Sequence, residues 1–214
     1  MRCSTCSQDV RPIVAVDIDG TLAKYHEPFE QFCHKYWGRL NPRPEPYDGF
    51  GDFEKYLGLS REEYRQAKLA YRQSGAKRWA PMYHDAFNFT RSLKNLGVEV
   101  WAATTRPWQR LDNIDPDTRE WLARNNVPID GLLFGDDKYL QLVTAVDRER
   151  ILMVVDDQIS QILIAEEFGL PVWQVDREHN RHQAVRWPVR GSLADALAVI
   201  KERKEGWDAA NSGR

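Results

Sequence analysis

The sequence predicts an α/β fold, a doubly wound parallel sheet with a Rossmann-like core and a helical segment inserted after the first strand. Three observations lead to this prediction. Short apolar runs without apolar/polar alternation recur along the chain, as in strands that are covered on both faces. Helical patterns separate these runs. About 80 residues lie between the first run and the second, whereas one crossover needs only a dozen or more.

Five strands are predicted, each a short apolar run that ends in small or polar residues: Ile13–Val16, Val98–Ala103, Leu132–Gly135, Ile151–Val155 and Pro171–Val175. Strands that alternate with helices imply right-handed crossovers and a doubly wound sheet.

The helices of this core are predicted from their end signals. Glycine just after a helical pattern is typical of a helix C-terminus, and Ser or Asp-Pro is typical of its start. The resulting predictions are His84–Leu96 before Gly97, a helix opening at Asp115-Pro116, Ser160–Phe168 before Gly169, and a helix starting at Ser192.

The segment 24–83 interrupts the strand–helix rhythm and is predicted to be a mostly helical cap with its own small core. Within it, 41–51 is a loop rich in proline and glycine, and Ser60 followed by Glu63 is a capping box that opens a helix. The core domain is then predicted to comprise 12–23 and 84–206. Residues 1–11 and 207–214 are predicted to be tails.

Composition narrows the class of protein. Hydrophobic residues make up 42% of the 214 residues and charged residues 29%, which is ordinary for a globular protein. A net charge of −2 argues against a general polyanion-binding surface. No apolar run approaches the roughly 20 residues of a membrane span, and "MRCSTCSQDVRP" lacks the apolar centre of a signal peptide. Three cysteines do not make a disulfide framework. These observations predict a cytoplasmic protein with no membrane partner.

The stretch "AVDIDGTLAKYH" places Asp17 and Asp19 at the end of the first apolar run, and Asp156 and Asp157 end the run 151–155. Residues i and i+2 of a strand project to the same side, and ligands bind at the carboxyl edge of open α/β sheets. Adjacent carboxylates repel unless one is protonated or a cation lies between them. Turn and cap roles explain one such cluster equally well, but two clusters favour Mg²⁺ bound by these four acids.

Donors suited to phosphate oxygens follow two other strands. "VEVWAATTRP" ends in Thr104, Thr105 and Arg106, and Lys138 starts the crossover after "LLFG". A guanidinium or an ammonium at this edge would bind a phosphate group. Taken singly, Thr104 is also explained as an ordinary strand-end hydroxyl, and Lys138 as a solvated surface residue.

The segment "DIDGTL", the strand ending at Thr104, Lys138 and "VVDD" resemble, in order and spacing, the four motifs of the haloacid dehalogenase-like (HAD) phosphohydrolases. The resemblance covers about residues 12–176. It implies that Asp17 is a nucleophile that forms an aspartyl-phosphate. Asp19 would be the general acid and then the base, with its backbone carbonyl on the metal.

The same resemblance implies that Thr104 and Lys138 bind the transferring phosphoryl group, that Asp156 is a Mg²⁺ ligand and that Asp157 assists it. The inserted segment occupies the place where this family carries a helical cap, which closes over the site and selects the substrate.

The inserted segment is rich in positive charge and in aromatic residues. Residues 24–84 contain 11 Lys+Arg and 8 Asp+Glu, a net charge of +3, and 13 of the 24 aromatic residues. Aromatic faces can stack a nucleobase. The predicted substrate pocket is walled by Phe29, Phe32, Tyr36 and Trp37, although a small cap also needs bulky residues for its own core.

Two branches of the family compete for the substrate. The cap and the four motifs are similar to the 5′(3′)-deoxyribonucleotidases, whereas "TTRPW" with Arg106, and "VDDQ", resemble the polynucleotide 3′-phosphatases. A large cap suits a mononucleotide better than a polymer end, so a nucleoside monophosphate is preferred and a nucleic-acid 3′ end is the alternative. A catalytically inactive binding or scaffold protein on the same fold is the alternative of another class. A phosphotransferase such as a mutase is the remaining enzyme alternative.

A second metal is suggested by cysteine and histidine spacing. Cys3-x-x-Cys6 and His179-x-x-His182 could together hold a structural Zn²⁺. The alternative is a loose tail with surface histidines. Cys33 is predicted to be a small buried apolar residue.

Overall fold

The computed structural model describes residues 10–37, 47, 52–182 and 190–212. Its centre is a six-stranded parallel sheet in the order β3-β2-β1-β4-β5-β6, which confirms the predicted fold class. The strands are β1 Ile13–Val16, β2 Glu99–Thr104, β3 Gly131–Phe134, β4 Ile151–Asp156, β5 Val172–Val175 and β6 Arg190–Gly191.

Helices cover both faces of the sheet. Three of them lie in the inserted segment, namely α1 His26–Trp37, α2 Phe53–Tyr56 and α3 Arg61–Gln73. The others are α4 His84–Asn95, α5 Ile114–Arg124, α6 Lys138–Ala145, α7 Ile159–Glu167 and α8 Leu193–Asn211. Within the described ranges, none of these helices combines the length and the apolarity that crossing a bilayer requires.

The side chains of β1 alternate between the two faces of the sheet, so they belong to two separate hydrophobic clusters, one on each face. Val14 and Val16 pack with α4, α5 and α8, whereas Ala15 packs with α6 and α7. Burial on both faces explains why the strands read as continuous apolar runs. The sequence therefore located β1 to β5 to within about one residue at each end.

Three elements differ from the prediction. Helix α8 runs to Asn211, so residues 207–211, which were predicted to be a tail, are helical. Strand β6 was not predicted, because two residues, Arg190 and Gly191, form no apolar run and owe their extended form to pairing with β5. Helix α5 begins at Ile114, one residue before the predicted Asp115. Pro116 thus lies in the first turn, where its missing N–H has no intrahelical partner to lose.

Side chains stabilise two helix starts as the sequence predicts. Ser60 accepts a hydrogen bond from the Glu63 amide, and the Glu63 carboxylate accepts one from the Ser60 amide. Ser192 and Asp195 make the same reciprocal pair at the start of α8. Each pair satisfies two backbone donors that the helix leaves free.

The inserted helices pack around their own hydrophobic cluster, which includes Phe29, Phe32, Cys33, Phe53 and Tyr71. Cys33 is buried, as predicted. Phe29 is 0% exposed and Phe32 is also buried, so the prediction that these two rings wall a substrate pocket is wrong. A small helical unit needs large rings at its centre, and here they fill that role.

The end of the inserted segment is fastened to α5. The 3-10 turn Ala76–Trp79 follows α3, and Arg78 Nε lies 2.9 Å from Asp117 Oδ1. Trp121 Nε1 donates to the Ala80 carbonyl at 2.7 Å. These contacts fix the position of this turn relative to the sheet.

The capping box of α8 gives a testable contribution to stability. Replacement Ser192→Ala removes the cap oxygen and is expected to lower the free energy of unfolding by about 1 kcal/mol, measured by urea denaturation. Ser192→Thr keeps the oxygen and should stay close to the parent protein. Equal stability of the alanine and threonine variants would contradict the assigned cap.

Candidate active site

The carboxyl ends of β1 and β4 bring three acids together. The two strands are neighbours in the sheet, and the Asp17 amide donates to the Val155 carbonyl at 2.9 Å. Asp17, Asp156 and Asp157 are all buried, and each offers a carboxylate oxygen within 4.8 Å of the others. We call these three residues the acidic triad.

The turn after β1 holds Asp157 in place. Gly20 has a φ of 98°, and a Cβ on it would lie 2.3 Å from Asp157 Oδ2, so this position accepts only glycine. Thr21 Oγ1 donates to Asp157 Oδ1 at 3.0 Å. Thr21 belongs to the "DIDGTL" motif, but the sequence alone did not assign it a partner.

Lys138 links the acidic triad to β2. It is 0% exposed, unlike the solvated lysine of the alternative interpretation. Its Nζ donates to Asp17 Oδ1 at 2.6 Å, to Asp156 Oδ2 at 2.7 Å and to the Ala103 carbonyl at 3.1 Å. The next residue, Tyr139, donates from its hydroxyl to Asp156 Oδ2 at 2.5 Å. The sequence did not reveal this role of Tyr139.

One lysine does not neutralise three carboxylates. Burial raises the pKa of Asp17 well above its ordinary value, and the neighbouring Asp156 and Asp157 raise it further against the pull of Lys138. Burial also raises the pKa of Asp156, with Asp157 adding to the effect and Lys138 opposing it. The acidic triad therefore has less positive charge beside it than its three carboxylates need for neutrality.

Two buried polar atoms at this edge are unpartnered in the described part of the chain, Asp17 Oδ2 and Thr104 Oγ1. Buried polar atoms are usually hydrogen-bonded, so both are suited to a ligand. An all-carboxylate set with a free oxygen fits a hard divalent cation such as Mg²⁺. Thr105, also predicted as a phosphate-binding residue, is half-buried beside Thr104.

Asp19 does not belong to the acidic triad. The sequence predicts that it points with Asp17, but β1 ends at Val16, and Asp19 instead bridges to Ala23, so the i, i+2 rule of a strand does not extend to it. Arg106 Nη2 donates to Asp19 Oδ1 at 2.6 Å and Arg106 Nε to Oδ2 at 2.9 Å. Lys77 Nζ also contacts Oδ2. The prediction that the Asp19 carboxylate shares a cation with Asp17 is therefore not supported, since its side chain is held by two basic residues.

These contacts set the charge of Asp19. Burial alone would raise the pKa of Asp19, but Arg106 and Lys77 outweigh that effect and hold it well below its usual range. Arg106, predicted as a phosphate ligand, also donates from Nη1 to Thr118 Oγ1 at 3.0 Å, so most of its donors are used inside the protein. Lys77 is 3% exposed, and no sequence pattern indicated it, because only the folding of the inserted segment brings it to Asp19.

His179 also reaches the acidic triad. Its Nε2 lies 2.6 Å from Asp157 Oδ2, and its ring stacks on that of His26 at 4.3 Å between centroids. His182 is exposed in the next turn, and Cys3 and Cys6 lie outside the described residues. The predicted Zn²⁺ site is not supported, because His179 is engaged by a carboxylate at the other site.

A cavity of about 850 Å³ lies beside His179, between α1 and the loop after β5. Its walls are rich in tyrosine and histidine, including Tyr25, His26, Tyr47, Tyr56 and Tyr83. Of the four predicted pocket residues, Tyr36 is 60% exposed and stacks on Phe32, and the Trp37 side chain lies outside the described residues. The aromatic wall is therefore made by different residues of the same segment.

Neither protein-family models nor curated protein sequences match this chain, but solved structures match its fold at low identity. A predicted phosphatase from Clostridium acetobutylicum gives a TM-score of 0.61 at 16% identity, covering 91% of this chain and 100% of that chain. A HAD family hydrolase from Deinococcus radiodurans R1, with bound phosphate and sodium, gives 0.60 at 15% identity and coverages of 92% and 97%. CbbY from Rhodobacter sphaeroides, in complex with xylulose-(1,5)bisphosphate, gives 0.60 at 17% identity and coverages of 89% and 99%. The fold is thus the HAD-like one.

The position of Lys138 predicts a large effect of its removal on stability. Replacement Lys138→Met leaves buried Asp17 and Asp156 without their cation and is expected to cost about 3–5 kcal/mol of unfolding free energy. The measurement is urea denaturation in the presence of EDTA, so that no divalent cation substitutes for the lysine.

Lys94→Met is the matched control for this prediction. It removes the same side chain from a surface ion pair with Asp130 at 2.9 Å and should cost no more than about 1 kcal/mol. Losses of similar size for the two variants would contradict the assigned role of Lys138.

Proposed function

We propose that this protein is a Mg²⁺-dependent phosphate monoester hydrolase that forms a covalent aspartyl-phosphate on Asp17. The observation that carries the proposal is Asp17 Oδ2, a buried carboxylate oxygen with no hydrogen-bond partner among the described residues, in a group of three converging acids. A structural carboxylate would be satisfied by donors, whereas a nucleophile or a metal ligand needs a free oxygen. The HAD-like hydrolases and phosphatases among the structural neighbours support the same chemistry.

In the first step, a carboxylate oxygen of Asp17 attacks the phosphorus atom. The bond between phosphorus and the ester oxygen breaks, and that oxygen takes a proton from Asp19. The Lys138 ammonium orients Asp17 through Oδ1, which leaves Oδ2 for the attack. The Thr104 hydroxyl, unpartnered in the described part of the chain, would donate to an oxygen of the transferring group.

The acidic triad would hold Mg²⁺ through Asp17, Asp156 and Asp157. When bound, the cation supplies the positive charge that lets a carboxylate attack a phosphate dianion. The raised pKa of Asp17, which burial and two neighbouring carboxylates cause, would be lowered again by that charge. Lys138 and Tyr139 keep Asp156 oriented toward the same position.

In the second step, water attacks the phosphorus of the aspartyl-phosphate and its proton passes to Asp19. The bond between phosphorus and Asp17 breaks and inorganic phosphate leaves. Asp19 suits this step in the structure shown, because Arg106 and Lys77 keep its pKa low and the carboxylate ionised. Proton acceptance from water then returns the protonated Asp19 that the next first step requires. To keep that proton, Asp19 has to be released by Arg106 and Lys77, since both favour its ionised form.

A nucleoside monophosphate is the substrate that we propose for this site. The cavity beside His179 is lined by tyrosine and histidine rings, among them Tyr47 stacked on His26, and such faces stack nucleobases. The resemblance to the polynucleotide 3′-phosphatases includes Arg106 as a site residue, but Asp19 and Thr118 accept from most of its donors. The structure therefore favours a small substrate.

If Asp17 is the nucleophile, replacing one of its carboxylate oxygens by an amide nitrogen should abolish turnover. Replacement Asp17→Asn should lower phosphate release at least about 1000-fold, since an amide does not attack phosphorus. The assay is Mg²⁺-dependent phosphate release from nucleoside monophosphates, sugar phosphates, an aryl phosphate and a 3′-phosphorylated oligonucleotide. Asp112→Asn, an exposed aspartate outside the site, should retain parent activity.

Three outcomes of this assay would count against the proposal. Appreciable turnover by Asp17→Asn would refute the nucleophile. Preference for the oligonucleotide would show that the substrate is a nucleic-acid 3′ end and not a nucleoside monophosphate. The absence of turnover of every ester, including the aryl phosphate, would favour a scaffold role.

Metal binding is predicted to stabilise the fold. Mg²⁺ at about 100 times its dissociation constant should add about 2.7 kcal/mol to the free energy of unfolding, seen as a higher melting temperature than in EDTA. Asp156→Asn removes one ligand charge and should abolish most of this increment. An equal Mg²⁺ effect in the parent and in Asp156→Asn would rule out the triad as the site.

A further inference from the structure

We propose that His179 is a positioning residue for the metal ligand Asp157, and that His26 of the inserted segment acts on the metal site through His179. We call these two rings the histidine pair. This rests on the proposed function, because it concerns the Mg²⁺ site of the acidic triad. It makes the inserted segment a determinant of how tightly that site binds its cation.

The carboxylate of Asp157 is held at both of its oxygens. Thr21 Oγ1 donates to Oδ1 at 3.0 Å, and His179 Nε2 lies 2.6 Å from Oδ2. A carboxylate that binds a metal ion is ionised and only accepts hydrogen bonds, so Nε2 carries a proton and donates to it. The side chains of His179 and Asp157 are 9% and 2% exposed. Water therefore competes little for this hydrogen bond, which belongs to the strong, charge-assisted kind.

The loop after β5 is built around Asp157. Its 3-10 turn, Glu178–Asn180, places two consecutive side chains on this residue, His179 on the carboxylate and Asn180 on the backbone. Asn180 is 0% exposed, and its Nδ2 donates to the Asp157 carbonyl at 2.9 Å and to the Val175 carbonyl at 2.8 Å. The backbone from which His179 reaches the carboxylate is therefore fixed relative to the end of β5.

The ring of His179 is held in turn by His26, the first residue of α1. The two ring centroids lie 4.3 Å apart and the planes differ by 28°, a stacked arrangement. Other rings of the inserted segment enclose His26, with Phe53 edge-on at 4.6 Å and Tyr25 at 5.3 Å. Phe53 belongs to the hydrophobic cluster of that segment. The packing of the inserted segment thus fixes the His26 ring and, through it, the ring of His179.

His26 acts on His179 by packing and not by charge. Burial lowers the pKa of His26 well below its ordinary value, and the neighbouring His179 and Lys68 lower it further. The ring is therefore neutral and does not repel the ring that it stacks on. Another aromatic ring of similar size is expected to serve in its place.

The histidine pair connects the metal site with the inserted segment. Hydrogen bonds to a metal-binding carboxylate fix its orientation, and their loss typically weakens metal binding about 10- to 100-fold. The histidine pair supplies one such bond, at Asp157 Oδ2. Both rings also line the 850 Å³ cavity, so the support of the metal site and the proposed substrate pocket share a wall.

The test measures Mg²⁺ binding to the substrate-free protein, by isothermal calorimetry and by the rise of the melting temperature with MgCl₂. His179→Met and His179→Gln introduce side chains of similar length, but only the glutamine amide can donate from the position of Nε2. We expect His179→Met to weaken Mg²⁺ binding about 10- to 100-fold and His179→Gln to recover most of that loss. His182→Met is the matched control, since it replaces an exposed histidine of the same loop, and should bind Mg²⁺ like the parent protein.

A double-variant cycle on the same affinity tests the role of His26. His26→Ala removes the stacked ring and should weaken Mg²⁺ binding about three- to tenfold, the size of a coupling between residues in contact. His26→Phe keeps a ring at this position and should bind like the parent. Because His26 acts through His179, adding His26→Ala to His179→Met should cause no further loss.

A loss in His179→Met that His179→Gln recovers, without a further loss in the double variant, supports the inference. Parent-like or tighter Mg²⁺ binding by His179→Met, or equal losses in the methionine and glutamine variants, would overturn the role of His179. Parent-like binding by His26→Ala, or losses that multiply in the double variant, would overturn the role of His26. Loss of binding only in variants that urea denaturation in EDTA shows to be unfolded would make both roles merely structural and would also overturn it.

Turnover by the parent protein is a separate result. If esters are hydrolysed but His179→Met binds Mg²⁺ like the parent, the positioning role fails and the proposed function stands. If no ester is hydrolysed but the Mg²⁺ effects appear, the proposed function fails and the positioning role stands. Absence of Mg²⁺ binding by the parent would overturn both.

Discussion

Three carboxylates buried at the carboxyl ends of β1 and β4 are the constraint on which the rest of this site depends. Neighbouring parallel strands place Asp17 beside Asp156 and Asp157, and the sheet offers no way to separate them. The surrounding structure is arranged to reduce that repulsion. Lys138 bridges two of the acids, and Thr21 and His179 hold the third.

Helix α5 organises the opposite half of the site, where positive charge is in excess. Thr118 holds one end of Arg106, while Asp117 and Trp121 fasten the turn that carries Lys77. One helix thus positions a cation from the core and a cation from the inserted segment on the same carboxylate. The inserted segment is therefore part of the site, because without it Asp19 loses one of its two basic partners.

The sequence could predict the features that follow from local patterns along the chain. It could not predict contacts between residues that are far apart in sequence and meet only when the chain folds. Strands β1 to β5 and the convergence of Asp17 with Asp156 follow from apolar runs and from the rule that parallel strands end at one edge. The contact of Lys77 with Asp19 does not, since 58 residues separate them and only the packing of the turn on α5 joins them. The positions of Phe29 and Phe32 also depend on the folded chain. In a small helical unit, aromatic residues fill the hydrophobic core, so they are buried and do not line a ligand pocket.

The fold by itself does not establish a reaction, but a buried arrangement that lowers the stability of the protein points to a function. A buried carboxylate oxygen without a donor lowers stability by about 1–3 kcal/mol, and more when it is charged. A scaffold could replace Asp17 by an amide or an apolar residue and recover that loss. The protein instead keeps this oxygen without a donor in the described part of the chain. Two further acids lie beside it, and a buried lysine offsets part of their repulsion. Local arrangements that oppose stability in this way are expected at functional sites, and this one lies at the edge of the sheet where α/β proteins bind their ligands.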